Sequence, residues 1–382
     1  MTAPAAGGGN ANERGRLPAT LAEHLSRRIA AEGPLTVAEF MEDALAHPTL
    51  GYYPTRDPLG VHGDFVTAPE VSQMFGELVG LWSALVWQAM GSPASIRLVE
   101  LGPGRGTLMA DALAAARVVP GFAAAARVHF VEISPALRAR QKETMAARAP
   151  TLAVEWHDWI GEVPEGPLIV LANEFFDAMP VRQFKRAPDG WHERLVDATA
   201  DGRFMFALSD VRQPLVPPTW DDTLGDVPED GVVEVSPAAC AVAGLVAERI
   251  ARAGGAALIV DYGPEQSAPG DTLQAVRAHG YDDPLGAPGE ADLTAHVDFA
   301  ALAHVGARAG VRALGPVPQG AFLGRLGIGA RAEILMRNAG PDVARDVKLA
   351  LHRLTSPEAM GTLFKVLAFL HPALPQPPGF AD

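Results

Sequence analysis

The chain has 382 residues, 48% of them hydrophobic and 20% charged, which allows a sizeable core and excludes general disorder. Its 31 Lys and Arg against 45 Asp and Glu leave a net charge of −14. That balance disfavours non-specific nucleic-acid binding, where clustered cations must displace counterions, and docking on anionic lipid. One cysteine, Cys240, excludes an intramolecular disulfide and any cysteine-built zinc or iron–sulfur site, and fits a reducing compartment.

Residues 1–16 are rich in Ala, Gly and Asn and have no apolar centre, so they read as a disordered tail and not as a secretory signal. No apolar run reaches the ~18–20 residues of a spanning helix, so no membrane insertion is expected. Leu21, Leu25 and Ile29, at i, i+4 and i+8, predict a helix over 17–30. Thr36 and Glu39 form the capping-box pattern that opens a second helix over 35–46. The stretch 47–69 is rich in Pro, Gly, Tyr and Asp; a loop this long is usually functional or disordered, and the adjacent Tyr52 and Tyr53 argue against disorder. Residues 71–90 read as helical.

From residue 96 the texture alternates. Strands are expected at 96–101, 127–133, 152–156 and 168–172, with helices at 107–116 and from Ser134 onward. Such alternation implies a parallel sheet covered on both faces. The rhythm breaks over 181–253, which carries alternating pieces at 191–196 and 203–208, a Pro- and Asp-rich loop at 214–230, and a helix at 237–253. It resumes at 256–260, and the last strong strand is 363–369. The expected fold is α/β: a doubly wound, mostly parallel Rossmann-like sheet with a helical N-terminal extension and an inserted β-containing subdomain. The divisions are a tail (1–16), the extension (17–92), a first half (93–180), the insertion (181–255) and a second half (256–382).

The sharpest motif is Glu100-Leu101-Gly102-Pro103-Gly104-Arg105-Gly106-Thr107, directly after a strand and opening a helix. Gly102, Gly104 and Gly106 let the backbone turn sharply and approach a ligand without a Cβ, and the helix start offers free N–H groups. There is no Gly-Lys-Ser/Thr for a phosphate loop, and the last spacing is one residue short of the nicotinamide turn. The turn of S-adenosylmethionine-dependent enzymes matches position by position, although such a turn also serves as a plain connector. Glu132, at the tip of the second strand, can accept from both ribose hydroxyls, or act as a helix N-terminal acid. Asp158, after the third strand, reaches adenine in this fold, or is a turn residue. Trp156 and Trp159 either flank the adenine or belong to the core.

Asn173-Glu174-Phe175-Phe176-Asp177 ends the apolar fourth strand, where open α/β sheets bind ligands. Two carboxylates and an amide there are not what core packing requires. Glu174 and Asp177 suit a guanidinium, which presents donors in a rigid fork; helix capping is the plainer alternative. His296 is a candidate base or substrate contact, competing with a simple helix-start role. There is no HExxH, and His279, His296 and His304 are dispersed, so no metal is expected. No G-x-S-x-G elbow is present.

The chain resembles the MidA family of class I S-adenosylmethionine-dependent methyltransferases. The resemblance is carried by Gly51-Tyr52-Tyr53, the run 63–77, the turn 100–108, the run 173–180, Asp261-Tyr262-Gly263, the run 292–299, the run 319–323 and the run 360–366. It implies S-adenosylmethionine as cofactor, with Glu100 opening a turn whose Gly102, Gly104 and Gly106 line its methionine and ribose, and with Glu132 on the ribose. It also implies that Thr67, Pro69 and Glu70 belong to a segment closing over the cofactor, with Glu70 a supporting carboxylate. Mitochondrial members of the family symmetrically dimethylate an arginine on the hydrogenase-like subunit of respiratory complex I. Protein-arginine methylation of such a partner is therefore the implied function, with Asn173, Glu174, Asp177 and His296 as the catalytic set. A small-molecule methyltransferase and a non-catalytic assembly chaperone are the alternatives. An Ala-, Arg-, Gly- and Pro-rich, Lys-poor composition adds the expectation of a cytoplasmic, bacterial protein, and a homodimer is among the expected states.

Overall fold

A computed structural model describes residues 18–55, 67–214, 226–277, 280–337 and 339–380. The expected tail, the middle of the 47–69 loop and most of the 214–230 loop lie outside the described residues. The central sheet has seven strands: β1 (Ile96–Leu101), β2 (Ala126–Val131), β3 (Val154–His157), β4 (Leu168–Asn173), β5 (Gly255–Tyr262), β6 (Arg312–Pro318) and β7 (Phe364–Leu370). Their order is β6-β7-β5-β4-β1-β2-β3. The first five are parallel, and β7 runs antiparallel between β5 and β6. Chain order reverses between β1 and β4, so the switch point lies at the carboxyl ends of those strands, where ligands bind in open α/β sheets.

Both faces of the sheet are buried, which explains the continuous apolar runs of β4 and β5. Along β1, Ile96 and Leu98 enter one core layer while Val99 and Leu101 enter the other. On the first face, helix Gln73–Ala89 crosses helix Thr107–Ala115 at backbone contact. A Cβ on Gly80 would stand 2.4 Å from the Ala112 Cα, so only glycine permits the crossing. On the second face, helix Pro237–Ala253 buries Ala243, Val246, Ala247 and Ile250. Sequence rhythm grouped this helix with the insertion; its apolar stripe packs on β4 and β5.

Helices Leu21–Glu32 and Val37–Ala46 form the N-terminal extension. The capping box of the second is present: Glu39 N–H donates to Thr36 Oγ1 at 3.1 Å, and Thr36 N–H to Glu39 Oε2 at 2.8 Å. The extension shares a core with the insertion through Phe40, Met41, Val181 and Val196. The two-residue strand Leu35–Thr36 pairs with Gly190–Ala198 of the antiparallel inserted sheet.

Three details differ from expectation. The helix expected over 71–90 is divided, because Ser72 caps Gln73–Ala89 and leaves Ala68–Val71 as a separate turn. Strand β6 is not among the expected strands: it carries Gly315, Pro316 and Pro318, and as the outermost strand it tolerates prolines that donate nothing to a ladder. Helices Gln319–Arg325, Ile328–Arg337 and Pro341–Thr355 fill a region where no elements were expected.

Candidate active site

A cavity of ≈ 820 Å³ opens at the carboxyl ends of β1, β2 and β4. Its floor is the turn after β1. Gly102, Gly104 and Gly106 have φ of +59°, +52° and +78°, the left-handed region that side chains resist. A Cβ on Gly102 would come within 3.0 Å of the Phe175 ring. Gly102 and Gly104 line the cavity; Gly106 faces Gln141 instead. Glu100 is buried beneath the turn, and burial pushes its carboxyl well above the usual range, opposed by a bond from the Met109 N–H. Its Oε2 has no hydrogen-bond partner among the described residues.

Glu132 is buried at the tip of β2 and lines the cavity. It accepts from Ser134 N–H at 2.8 Å and from Gln141 Nε2 at 3.1 Å. Gln141 also donates to the Gly104 carbonyl at 2.8 Å and accepts from the Trp156 indole at 2.8 Å. One fully buried amide therefore ties the glycine turn, the carboxylate and β3 together. Sequence reading passed over Gln141. The available signal was a polar residue in the stripe Leu137, Gln141, Met145, which is otherwise apolar and buried.

Asp158 stands exposed at the rim, held by Arg138 at 2.6 Å. Trp159 lines the cavity, whereas Trp156 packs edge-on against Phe130 in the core. Thr67, Pro69 and Glu70 line the mouth, and Glu70 accepts from the Thr107 hydroxyl at 2.6 Å. The N-terminal extension is thus fastened to the first helix after the turn.

Opposite the turn stands the loop that follows β4. Glu174 is held at φ +51°, a conformation costly for any residue but glycine. Its N–H donates to the Val260 carbonyl at 2.9 Å. Its Oε1 accepts from Ala68 N–H and from Asn173 Nδ2, both at 3.0 Å. Burial, then the neighbouring Asp177, pushes the Glu174 carboxyl up to about 7. Burial raises Asp177 to about 6 against a hydrogen bond from the Tyr262 hydroxyl. Beneath the loop, fully buried Asp261 accepts the N–H groups of Phe175, Phe176 and Asp177 at 3.1, 2.9 and 3.3 Å. Tyr53 donates to Asp292 at 3.0 Å. Tyr53, Asn173, Glu174, Asp177, Tyr262, Asp292 and Thr294 all face the cavity.

His296 is not part of this wall. Its ring lies behind Tyr262, edge-on at 5.6 Å, its N–H donates to the Thr272 hydroxyl, and burial lowers its imidazole. Strand Asp292–Thr294 turns Asp292 and Thr294 inward, and His296 follows once the strand has ended. Of the expected catalytic set, Asn173, Glu174 and Asp177 line the cavity and His296 does not; its ring packs on Tyr262, which does.

A profile of a family described as S-adenosyl-L-methionine-dependent methyltransferase matches residues 78–317. The chain is 40% identical over 378 residues to the protein arginine methyltransferase NDUFAF7 homolog, mitochondrial, of Drosophila melanogaster, covering 91% of this chain and 84% of that protein. It is 38% identical over 384 residues to the human protein arginine methyltransferase NDUFAF7, mitochondrial, covering 94% and 85%. A solved structure from Burkholderia thailandensis, bound to S-adenosyl-homocysteine, superimposes with a TM-score of 0.81 at 32% identity, covering 94% of this chain and 93% of that one. The expected cytoplasmic location does not stand, since these curated relatives are mitochondrial proteins by name.

The residues fit the cofactor of that family. Gly102 and Gly104 clear a path along the backbone, the Glu132 carboxylate is an acceptor suited to a diol, and Glu100 Oε2, without a partner among the described residues, lies beneath the turn. Three-glycine turn, β2 carboxylate, strand order and profile agree, and the chain belongs to the MidA-like family of class I S-adenosyl-L-methionine-dependent methyltransferases.

Proposed function

We propose that the chain methylates the guanidinium of an arginine in a protein partner. The observation that carries this reading is the pairing of Glu174 and Asp177 on one loop, walling the cavity beside Tyr53, Asp292 and Tyr262. A guanidinium spreads its donors over a rigid plane and matches several acceptors held at fixed positions. S-adenosylmethionine, when bound, supplies a methyl group activated by its sulfonium. The chain's own residues do the rest. Glu174 and Asp177 orient the acceptor and draw positive charge toward the nitrogens they hold. That leaves the third nitrogen better able to attack, and one of the two carboxylates takes its proton as the new bond forms. Positioning is the larger contribution, because Asp261 and the Val260 carbonyl fix the loop before any ligand arrives.

The acceptor proposed is an arginine on the hydrogenase-like subunit of respiratory complex I, and the product is symmetric dimethylarginine. Both follow from the resemblance to the MidA family, and the names of the curated relatives support arginine as the target. The test is transfer of labelled methyl to that subunit and to variants carrying Lys at each accessible Arg, read by fragmentation mass spectrometry. A dimethylated arginine of symmetric pattern is expected. Label on lysine, or only on small molecules, refutes the reading.

A further inference from the structure

At the outer edge of the central sheet, β2 and β3 bring three metal-ligating side chains to one face. The parallel register pairs His129 with Glu155 and Val131 with His157. Residues two apart on a strand share a face, so His129, Glu155 and His157 project together. Their ligand atoms all lie within 4.8 Å of one another. His129 Nδ1 is 3.1 Å from His157 Nε2 and 3.8 Å from Glu155 Oε2. With metal–ligand bonds of ~2.0–2.2 Å, neighbouring ligand atoms of a tetrahedral site stand about 3.3–3.5 Å apart. The imidazoles are close to that spacing, and exposed Glu155 can close the remaining gap by a small rotation. His129 is buried and His157 half-buried, so the sheet fixes two of the three ligands. Two guanidiniums act on His129 through their charge: Arg249, which donates to the carbonyls of Ile160, Val163 and Pro164, and Arg97, which lies beside Gly166.

The geometry points to a divalent transition-metal site built from His129, His157 and Glu155, with zinc the ion that best suits two imidazoles and a carboxylate. No sequence motif marks it, because its ligands come from different strands and follow no known spacing. None of the three lines the cavity, so the role is structural. The His157 carbonyl accepts the Glu132 N–H at 3.0 Å, and Asp158 is the next residue. A bound ion pins the edge strand at the point where it feeds the cofactor site.

The test uses the untagged full chain, stripped with a chelator and titrated with zinc chloride and then with cobalt chloride. One ion per chain is expected, with water in the fourth position and the intense visible bands of four-coordinate cobalt. Glu155→Gln and His157→Asn should each weaken binding by more than about tenfold. Glu155 is exposed, so its variant should melt like the parent when no metal is present. Absence of stoichiometric binding, or equal binding by both variants and the parent, overturns the site and leaves His129 and His157 as a hydrogen-bonded pair.

Discussion

Glu174→Gln should make the protein more stable and less active at once, and the gain in stability should depend on pH. The Glu174 carboxyl, ordinarily near 4.5, is raised to about 7, by burial first and by Asp177 second. At pH values below about 4.5 the group is protonated in both folded and unfolded chains and costs nothing. As pH rises from there to 7, the unfolded chain ionises first, and stability is lost. Above about pH 8 the loss is complete. At about 1.4 kcal/mol for each tenfold difference in proton affinity, it amounts to about 3 kcal/mol, reduced to about 2 because the cavity admits solvent. Glutamine keeps the shape and an acceptor for the Ala68 N–H while removing the charge. With an unfolding entropy of about 2.1 cal/mol/K per residue over 382 residues, that gain raises Tm by about 2–3 °C. Thermal melts of the ligand-free protein from pH 5 to 8.5 should show little difference at the acid end and the full difference above pH 8. Methyl transfer by the variant should fall sharply across the same range. A difference that does not vary with pH, or a variant less stable at pH 8, refutes burial of the charge as the source.

Gln141→Leu should weaken S-adenosylhomocysteine binding at least tenfold, since it strands Glu132, the Gly104 carbonyl and the Trp156 indole together; unchanged calorimetric affinity removes Gln141 from the site. Gly104→Val should abolish cofactor binding while lowering Tm by only a few degrees, the cost of ~1–2 kcal/mol for a side chain at φ +52°; retained binding places the ligand elsewhere. Gly80→Ala should destabilise by more than ~3 kcal/mol in denaturant melts, because its Cβ would overlap the Ala112 backbone; a neutral result means that the helix crossing relaxes. Binding of an arginine peptide should release protons and tighten as pH rises from 5.5 to 8, because carboxyls raised to about 7 and 6 ionise against the guanidinium. Titrations in buffers of differing ionisation enthalpy should detect the release, and a proton-neutral reaction would place the guanidinium away from this pair.

Local signals in the chain reached the elements that local physics decides. The Thr36–Glu39 capping box, the strand–glycine–helix turn and the starts of the helices at Ser134 and Pro237 all depend on residues within one turn of each other. The Asn173–Asp177 loop announced itself because charge directly after a wholly apolar strand has no packing explanation. What sequence hid depends on distant partners. Gln141 reads as one polar residue on a helix until Glu132, Gly104 and Trp156 close around it. Asp261 reads as one of two polar residues at a strand end until three backbone N–H groups of a loop more than eighty positions earlier converge on it. His296 reads in sequence as a base or substrate contact, but which way it faces depends on the preceding strand ending at Thr294.

The loop after β4 concentrates cost. It holds a non-glycine residue in a left-handed conformation, and three carboxyls, Glu174, Asp177 and Asp261, are raised by burial, with mutual repulsion adding at Glu174 and Asp261. Each feature acts against the fold, so relaxation is prevented by neighbours that over-determine the loop: three bonds to Asp261, one to the Val260 carbonyl, and the Ala68 N–H reaching in from the N-terminal extension. The strain is placed so that a cation relieves it. On the proposed function, a guanidinium between Glu174 and Asp177 would turn repulsion into attraction, which favours a charged planar acceptor over a neutral one. The Ala68 bond makes the extension part of the same device, since the segment that borders the cofactor mouth is also a hydrogen-bond donor to the carboxylate proposed to hold the acceptor. On the proposed function, that bond would couple cofactor binding to acceptor binding through Glu174.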